Sequence, residues 1–167
     1  PGGDNHGYYR IGWNLNTNGD PASWSPVKSI PDWFGTETQG GGIAIADLNG
    51  DGRPELIIFF IDNPGGENRG YYRIGWNLNA SGDVTGGWSA VKPIPGWFGA
   101  ENQGGGIAVA DINSDGRPEL IVFHVDNPNG DNYGYYRIGW KVNAAGDVTD
   151  GWSDVGQIPG WFGTESQ

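Results

Sequence analysis

The 167-residue chain carries a formal net charge of −11, 32 Gly, 9 Trp, 7 Tyr, and neither Cys nor Met. The lack of Cys excludes disulfides and thiol chemistry, and an acidic chain with nine Lys plus Arg is set against nucleic acid and anionic membranes. The aromatic content excludes simple disorder, glycine without a collagen period points to many tight turns, and no apolar run is long enough for membrane insertion.

The segment Gly7-Tyr8-Tyr9-Arg10-Ile11-Gly12-Trp13-Asn14-Leu15-Asn16 recurs unchanged from residue 70, and again from residue 134 with Lys141-Val142 substituted; the offsets are 63 and 64 residues. A period this long, holding several strand signals, is the signature of a propeller or similar array. Within one period we expect four strands: A over 42–47, B over 55–62, C over 70–78 and D over 88–94. Strand A is small and apolar, and B is β-branched and aromatic. C and D are separated by a loop rich in Asn, Gly, Ser and Asp, and no stretch has a 3.6-residue period.

The expected fold class is therefore all-β, with β-propeller blades of four antiparallel strands. Residues 1–41 form a partial blade (strands C and D), and 42–105 and 106–167 are complete blades, each with a calcium loop. Closed propellers need about four to eight blades. The expectation is a segment of a larger closed propeller.

Between A and B stands Asp47-Leu48-Asn49-Gly50-Asp51-Gly52-Arg53-Pro54-Glu55, and 64 residues later Asp111-Ile112-Asn113-Ser114-Asp115-Gly116-Arg117-Pro118-Glu119. Oxygen-bearing side chains at positions 1, 3, 5 and 9, with Gly at 6 to permit the curl, suit a hard cation with six to eight oxygen ligands, in practice calcium. The first loop would offer Asp47, Asn49, Asp51, Glu55 and the Arg53 carbonyl, and the second Asp111, Asn113, Asp115, Glu119 and the Arg117 carbonyl. An EF-hand is excluded because position 12 is Ile58 or Val122, inside an apolar strand, where that motif needs a bidentate Glu between helices. The competing expectation is a metal-free Asx turn, since Asp, Asn and Gly favour turns in any case.

The unit Ile43-Ala44-Ile45-Ala46-Asp47-Leu48-Asn49-Gly50-Asp51-Gly52-Arg53-Pro54-Glu55-Leu56-Ile57-Ile58 resembles the FG-GAP/VCBS repeat family. That family includes the integrin α-chain propeller and calcium-containing fungal propeller lectins of the Psathyrella type. Glu at position 9, where many members carry Asp, is a departure that lengthens one ligand by a methylene. The resemblance implies a propeller fold and bound calcium, and leaves the role open.

Strand alternation sends the A–B and C–D loops to one end and the B–C and D–A loops to the other. The second end would gather Asp62 and Asn63 with Trp97, Glu101 and Gln103; the next copy gathers Asp126 and Asn127 with Trp161 and Glu165, and a partial copy has Trp33, Glu37 and Gln39. Aromatic rings beside planar polar groups suit a pyranose, whose apolar face covers the ring while its hydroxyls meet fixed acceptors. Trp13, Trp76 and Trp140, in mid-strand, and Trp24, Trp88 and Trp152 are expected to pack between repeats. Arg10, Arg73 and Arg137 are expected to be structural, paired with a loop carboxylate, and His124, in the place of Phe60, to be a core histidine.

No unrepeated constellation of paired acids, nucleophile and base, or zinc ligands stands out, so an enzyme is not expected. The first expectation is a calcium-stabilised lectin outside the cell, where weak calcium loops fill best. Its repeated sites would bind glycans or glycoconjugates with avidity. The alternatives are an adhesion or scaffolding propeller that binds protein surfaces, and a non-catalytic propeller of a secreted carbohydrate-active enzyme.

Overall fold

The computed structural model describes residues 6–31, 38–63, 68–96, 98, 99, 102–126, 132–160 and 162, with the backbone alone for 38, 39, 102 and 103. The expected all-β class holds, and no helix occurs among these residues. The strands are β1 (Gly7–Tyr9), β2 (Gly12–Leu15), β3 (Pro21–Trp24), β4 (Lys28–Ile30), β5 (Thr38–Ala46), β6 (Glu55–Asp62), β7 (Arg69–Gly75), β8 (Lys92–Ile94), β9 (Asn102–Ala110), β10 (Glu119–Asp126), β11 (Tyr133–Gly139) and β12 (Gly156–Ile158). They form two four-stranded antiparallel meanders, β5-β6-β7-β8 and β9-β10-β11-β12, and two two-stranded sheets, β1-β4 and β2-β3; none closes on itself.

Three of the expected strands change their bounds. Strand C stops at Gly75 rather than at residue 78, and beyond it Asn77 takes the left-handed region (φ 54°), as Asn14 (54°) and Lys141 (55°) do at the same place. Strand D shrinks to β8, with Trp88 held to Gly75 by an isolated bridge. Strand A moves the other way. It runs back through Gly40-Gly41 and Gly104-Gly105, which were expected as loop.

The reason is a close approach between sheets. A Cβ on Gly42 would stand 2.6 Å from the Gly106 Cα, and one on Gly40 2.8 Å from the Gly104 Cα. β5 and β9 thus meet backbone to backbone, which only glycine permits. Behind them the sheets enclose one core, in which Ile57, Phe59 and Ile61 of β6 meet Leu120 and Val122 of β10, with Ile107 and Val109 of β9 packed alongside. Each such burial contributes roughly 1.5–3 kcal/mol.

The outer strands are joined by a repeated latch. The Tyr9 hydroxyl donates to the Gly82 carbonyl at 3.0 Å, and Lys28 pairs with Asp83. One unit on, the Tyr72 hydroxyl donates to the Gly146 carbonyl at 2.9 Å, and Lys92 pairs with Asp147. Burial and the Asp147 charge push the Tyr72 phenol up to about 12, so it stays a donor throughout the ordinary pH range. The Arg side chains are indeed structural, but their partners are carbonyls: Arg10, Arg73 and Arg137 donate through Nε to Ser25, Ser89 and Ser153 at 2.9–3.1 Å. A planar guanidinium lying along a neighbouring strand reaches main-chain oxygens before it reaches a loop acid.

Gly42→Ala should therefore cost about 1–3 kcal/mol by overpacking. Gly106→Ala, whose Cβ would meet nothing within 4 Å, should stay within about 0.5 kcal/mol of the parent. Urea titration of the two variants checks the pair, and equal losses would refute the glycine contact.

Candidate functional site

The meander puts the β5–β6 and β9–β10 loops at one end of the sheets and the β6–β7 and β10–β11 connections at the other. At the first end, residues 47–54 fold on their own side chains. Asp47 accepts the Gly50 amide (2.7 Å) and the Gly52 amide (2.9 Å), Asn49 Oδ1 accepts the Asp51 amide (2.9 Å), and Asp51 Oδ1 accepts the Arg53 amide (2.8 Å). Gly50 (φ 74°) and Gly52 (φ 82°) supply the left-handed turns. The second loop repeats this: Asp111 accepts from Asp115 (3.1 Å) and Gly116 (2.9 Å), and Asp115 accepts from Arg117 (3.0 Å).

Glu55 and Glu119, at position 9, are wholly buried at the start of β6 and β10. Each holds the loop shut through one oxygen, which accepts the Leu48 amide at 2.7 Å or the Ile112 amide at 2.9 Å. The other Glu55 oxygen, Oε1, is buried without a hydrogen bond of good geometry, the Asn77 amide lying near the carboxyl only loosely. Burial raises the Glu55 carboxyl above the ordinary range; the Leu48 and Asn77 amides oppose that shift, and the Asp51 and Asp47 charges add to it. In the second loop Asn113 Nδ2 lies 3.4 Å from both Asp115 Oδ2 and Glu119 Oε1, so positions 3, 5 and 9 converge there.

By donor chemistry the set fits a hard cation, which would be held by the side chains of Asp47, Asn49, Asp51 and Glu55 with the Arg53 carbonyl, and by their counterparts. Among the described residues, however, no three of His, Cys, Asp and Glu stand as a metal-ligand group. The Asp oxygens are turned toward loop amides. The two loops also differ, because Lys141 Nζ stands 3.9 Å from Asp115 Oδ2 and 2.6 Å from Asp150 Oδ2, where the first unit has the uncharged Asn77 and Gly86.

At the opposite end, Asp62 and Asp126 close β6 and β10 and are fully buried, while Asn63 is half-buried. Trp33, Glu37, Trp97, Glu101, Asn127, Trp161 and Glu165 lie outside the described residues, as do the side chains of Gln39 and Gln103. The described part contains groups that the sequence had not singled out. Asn68 Nδ2 donates to the Gly99 carbonyl (3.0 Å), and a Cβ on Gly99 would stand 2.5 Å from Asp126 Oδ1, so this end of one unit is clipped to the next. Phe98 fills the joint beneath, its ring 6.1 Å from Phe59 and 5.1 Å from His124. The signal for Asn68 was its recurrence as Asn132, one period on. The side-chain carbonyls of Asn63 and Asn68 are buried without a hydrogen-bond donor.

Compared with family models, with curated proteins and with solved structures, the chain matches none of the three.

His124 is buried in the core, stacked on Tyr135 at 5.3 Å, as expected of a substitute for Phe60. Burial, aided by the Arg137 charge, lowers its imidazole from 6.5 to about 4. A depressed base stabilises the fold fully above the ordinary value, and that stability is lost as pH falls from about 6.5 toward 4. His124→Phe should leave the melting temperature near pH 8 little changed and raise it near pH 4.5. Parallel melting curves at both pH values would refute the assignment.

Proposed function

We propose that the two four-stranded sheets are β-propeller blades of the FG-GAP/VCBS kind. In this proposal the chain is a non-enzymatic, calcium-stabilised carbohydrate-binding module, a lectin, working outside the cell. The observation that carries the binding assignment is a pair of buried side-chain carbonyls without a hydrogen-bond donor at the β6–β7 end, those of Asn63 and Asn68, the second of which holds the Gly99 carbonyl through its Nδ2. A sugar hydroxyl is the donor such acceptors lack. Trp33, Trp97 and Trp161 would supply the ring for the apolar face of a pyranose. Equivalent sites in successive units make weak binding useful through avidity on a glycan surface.

Calcium in this proposal is structural. Its support is the unpaired Oε1 of Glu55, a charge-bearing oxygen in a fully buried carboxyl that a bound cation would satisfy. The ion would fix the β5–β6 hairpin at the end opposite the sugar, so it would not touch the ligand. Lys141 beside Asp115 makes the second loop the weaker site.

Calcium at about a hundred times its Kd should stabilise the fold by about 2.7 kcal/mol, seen as a melting temperature that falls on adding EDTA. Glu55→Gln should remove much of that increment. In EDTA the same variant should be at least as stable as the parent at neutral pH, because the stability tied to an acid raised in the fold is present below about 4.3 and is lost as pH rises above it. A melting curve indifferent to EDTA would end the calcium assignment.

Glycan-array binding with calcium present tests the lectin assignment. We expect selective binding to one terminal sugar, lost in Trp97→Ala with the melting curve unchanged. A blank array from folded protein would overturn it and favour a protein-binding adhesion module.

A further inference from the structure

The two Asp/Asn loops are near copies, but the residues beside them are not. In the first unit Asn77 and Gly86 stand where the second has Lys141 and Asp150, 64 positions on. The two positions touch. A Cβ on Gly86 would stand 2.6 Å from Asn77 Nδ2, so a side chain at 86 is shut out while Asn77 keeps its place. In the second unit both have changed together, and Lys141 Nζ meets Asp150 Oδ2 at 2.6 Å. Lys141 (φ 55°) holds the same left-handed backbone as Asn77 (φ 54°), so the exchange leaves the local conformation as it was.

Position 77 adjoins the loop, since the Asn77 amide lies near the Glu55 carboxyl. Around the first loop, Glu55 Oε1 and the Asn77 side-chain carbonyl are buried oxygens without a hydrogen bond of good geometry. Among the described residues, no Lys or Arg pairs with Asp47, Asp51 or Glu55. Around the second loop the same needs are met from within the chain. Glu119 Oε1 has Asn113 Nδ2 at 3.4 Å, and Asp115 Oδ2 has the Lys141 ammonium at 3.9 Å. One loop offers oxygens that lack a positive partner, and the other has a cation already attached.

We propose that Lys141 is a tethered counter-cation that does for the second loop what a calcium ion does for the first, and so decides which loop takes calcium. The proposal rests on the calcium reading above. An ammonium within about 4 Å of a carboxylate attracts it, and the same ammonium repels a divalent ion that approaches the same oxygens. Asp150 anchors the ammonium at the edge of the loop; it is a positioning residue and not a ligand. The consequence is an asymmetric module. Calcium acts on the first loop, whose Leu48 is 5 % exposed in the core that also holds Val142 of the next unit. The second loop keeps its shape without the ion.

The test is calorimetric titration of the calcium-free full chain with calcium chloride. We expect the parent to take up one ion per chain in the range that fills the first loop, with the second loop at least about tenfold weaker. Lys141→Asn combined with Asp150→Gly writes the first unit's pair into the second. It should tighten the second loop at least about tenfold and give two ions per chain. The reciprocal exchange, Asn77→Lys with Gly86→Asp, should remove the first ion, and circular dichroism equal to the parent's shows that each variant is folded. Two ions of equal affinity in the parent would overturn the proposal and leave the calcium reading standing. A second loop no tighter after the first exchange, or a first ion retained after the reciprocal one, would do the same. Uptake of no ion by the parent and by both variants would end the calcium reading, and this proposal with it.

Discussion

The approach of β5 to β9 through bare backbone is the constraint on which the rest depends. With Gly42 against Gly106 and Gly40 against Gly104, the inner strands of successive units come closer than any side chain allows. Sheets ordinarily pack about 10 Å apart. Beyond that contact larger residues fill the wedge between the sheets: Ala44 and Ala46 pack against the core that holds Ile57, Phe59 and Leu120, and Tyr72 meets Trp152 edge-on. The Tyr–Gly and Lys–Asp latches then hold the rim.

Both candidate sites follow from that wedge. Because each sheet is a meander, its four connections alternate between two ends, and packing one unit on the next brings loops of different units together. The close approach of Gly99 to Asp126 of the next unit is such a joint at one end, and Asn68 holds that glycine's carbonyl from within its own unit. At the other, Leu48 reaches across into the next unit, so the loop that carries the cation-type ligands also carries a packing residue. Ordering the loop and joining the units are therefore one event. An ion that stabilises residues 47–55 would stabilise the junction as well.

The places where the units differ are informative because the surroundings are otherwise constant. His124 in place of Phe60 keeps the stacking on a tyrosine but makes the core sensitive to acid. Lys141 with Asp150, in place of Asn77 with Gly86, sets a cation beside the second loop. Lys141 keeps the left-handed conformation its asparagine counterparts adopt, at a backbone cost of about 1–2 kcal/mol that its two carboxylate neighbours help to offset. Ser114 likewise keeps a positive φ (61°) where Gly50 stands in the first loop.

By itself the sequence determined the strand order, the meander and the course of both Asp/Asn loops, because alternation of apolar residues and Asx–Gly turn chemistry act within a few neighbouring positions. Only the tertiary structure decided what depends on the adjacent unit. Gly40-Gly41 and Gly104-Gly105 are strand rather than loop, where another backbone lies against them. Asp62 and Asp126, expected at a ligand surface, are fully buried. The arginines meet serine carbonyls, and Leu48, the second residue of the first loop, is a packing residue. Contacts across a junction join residues some 50 to 75 positions apart, such as Lys28 with Asp83 and Tyr72 with Gly146. A period in the sequence announces that units stack, but the facing residues are set by the angle and distance between sheets, which here a pair of glycines fixes.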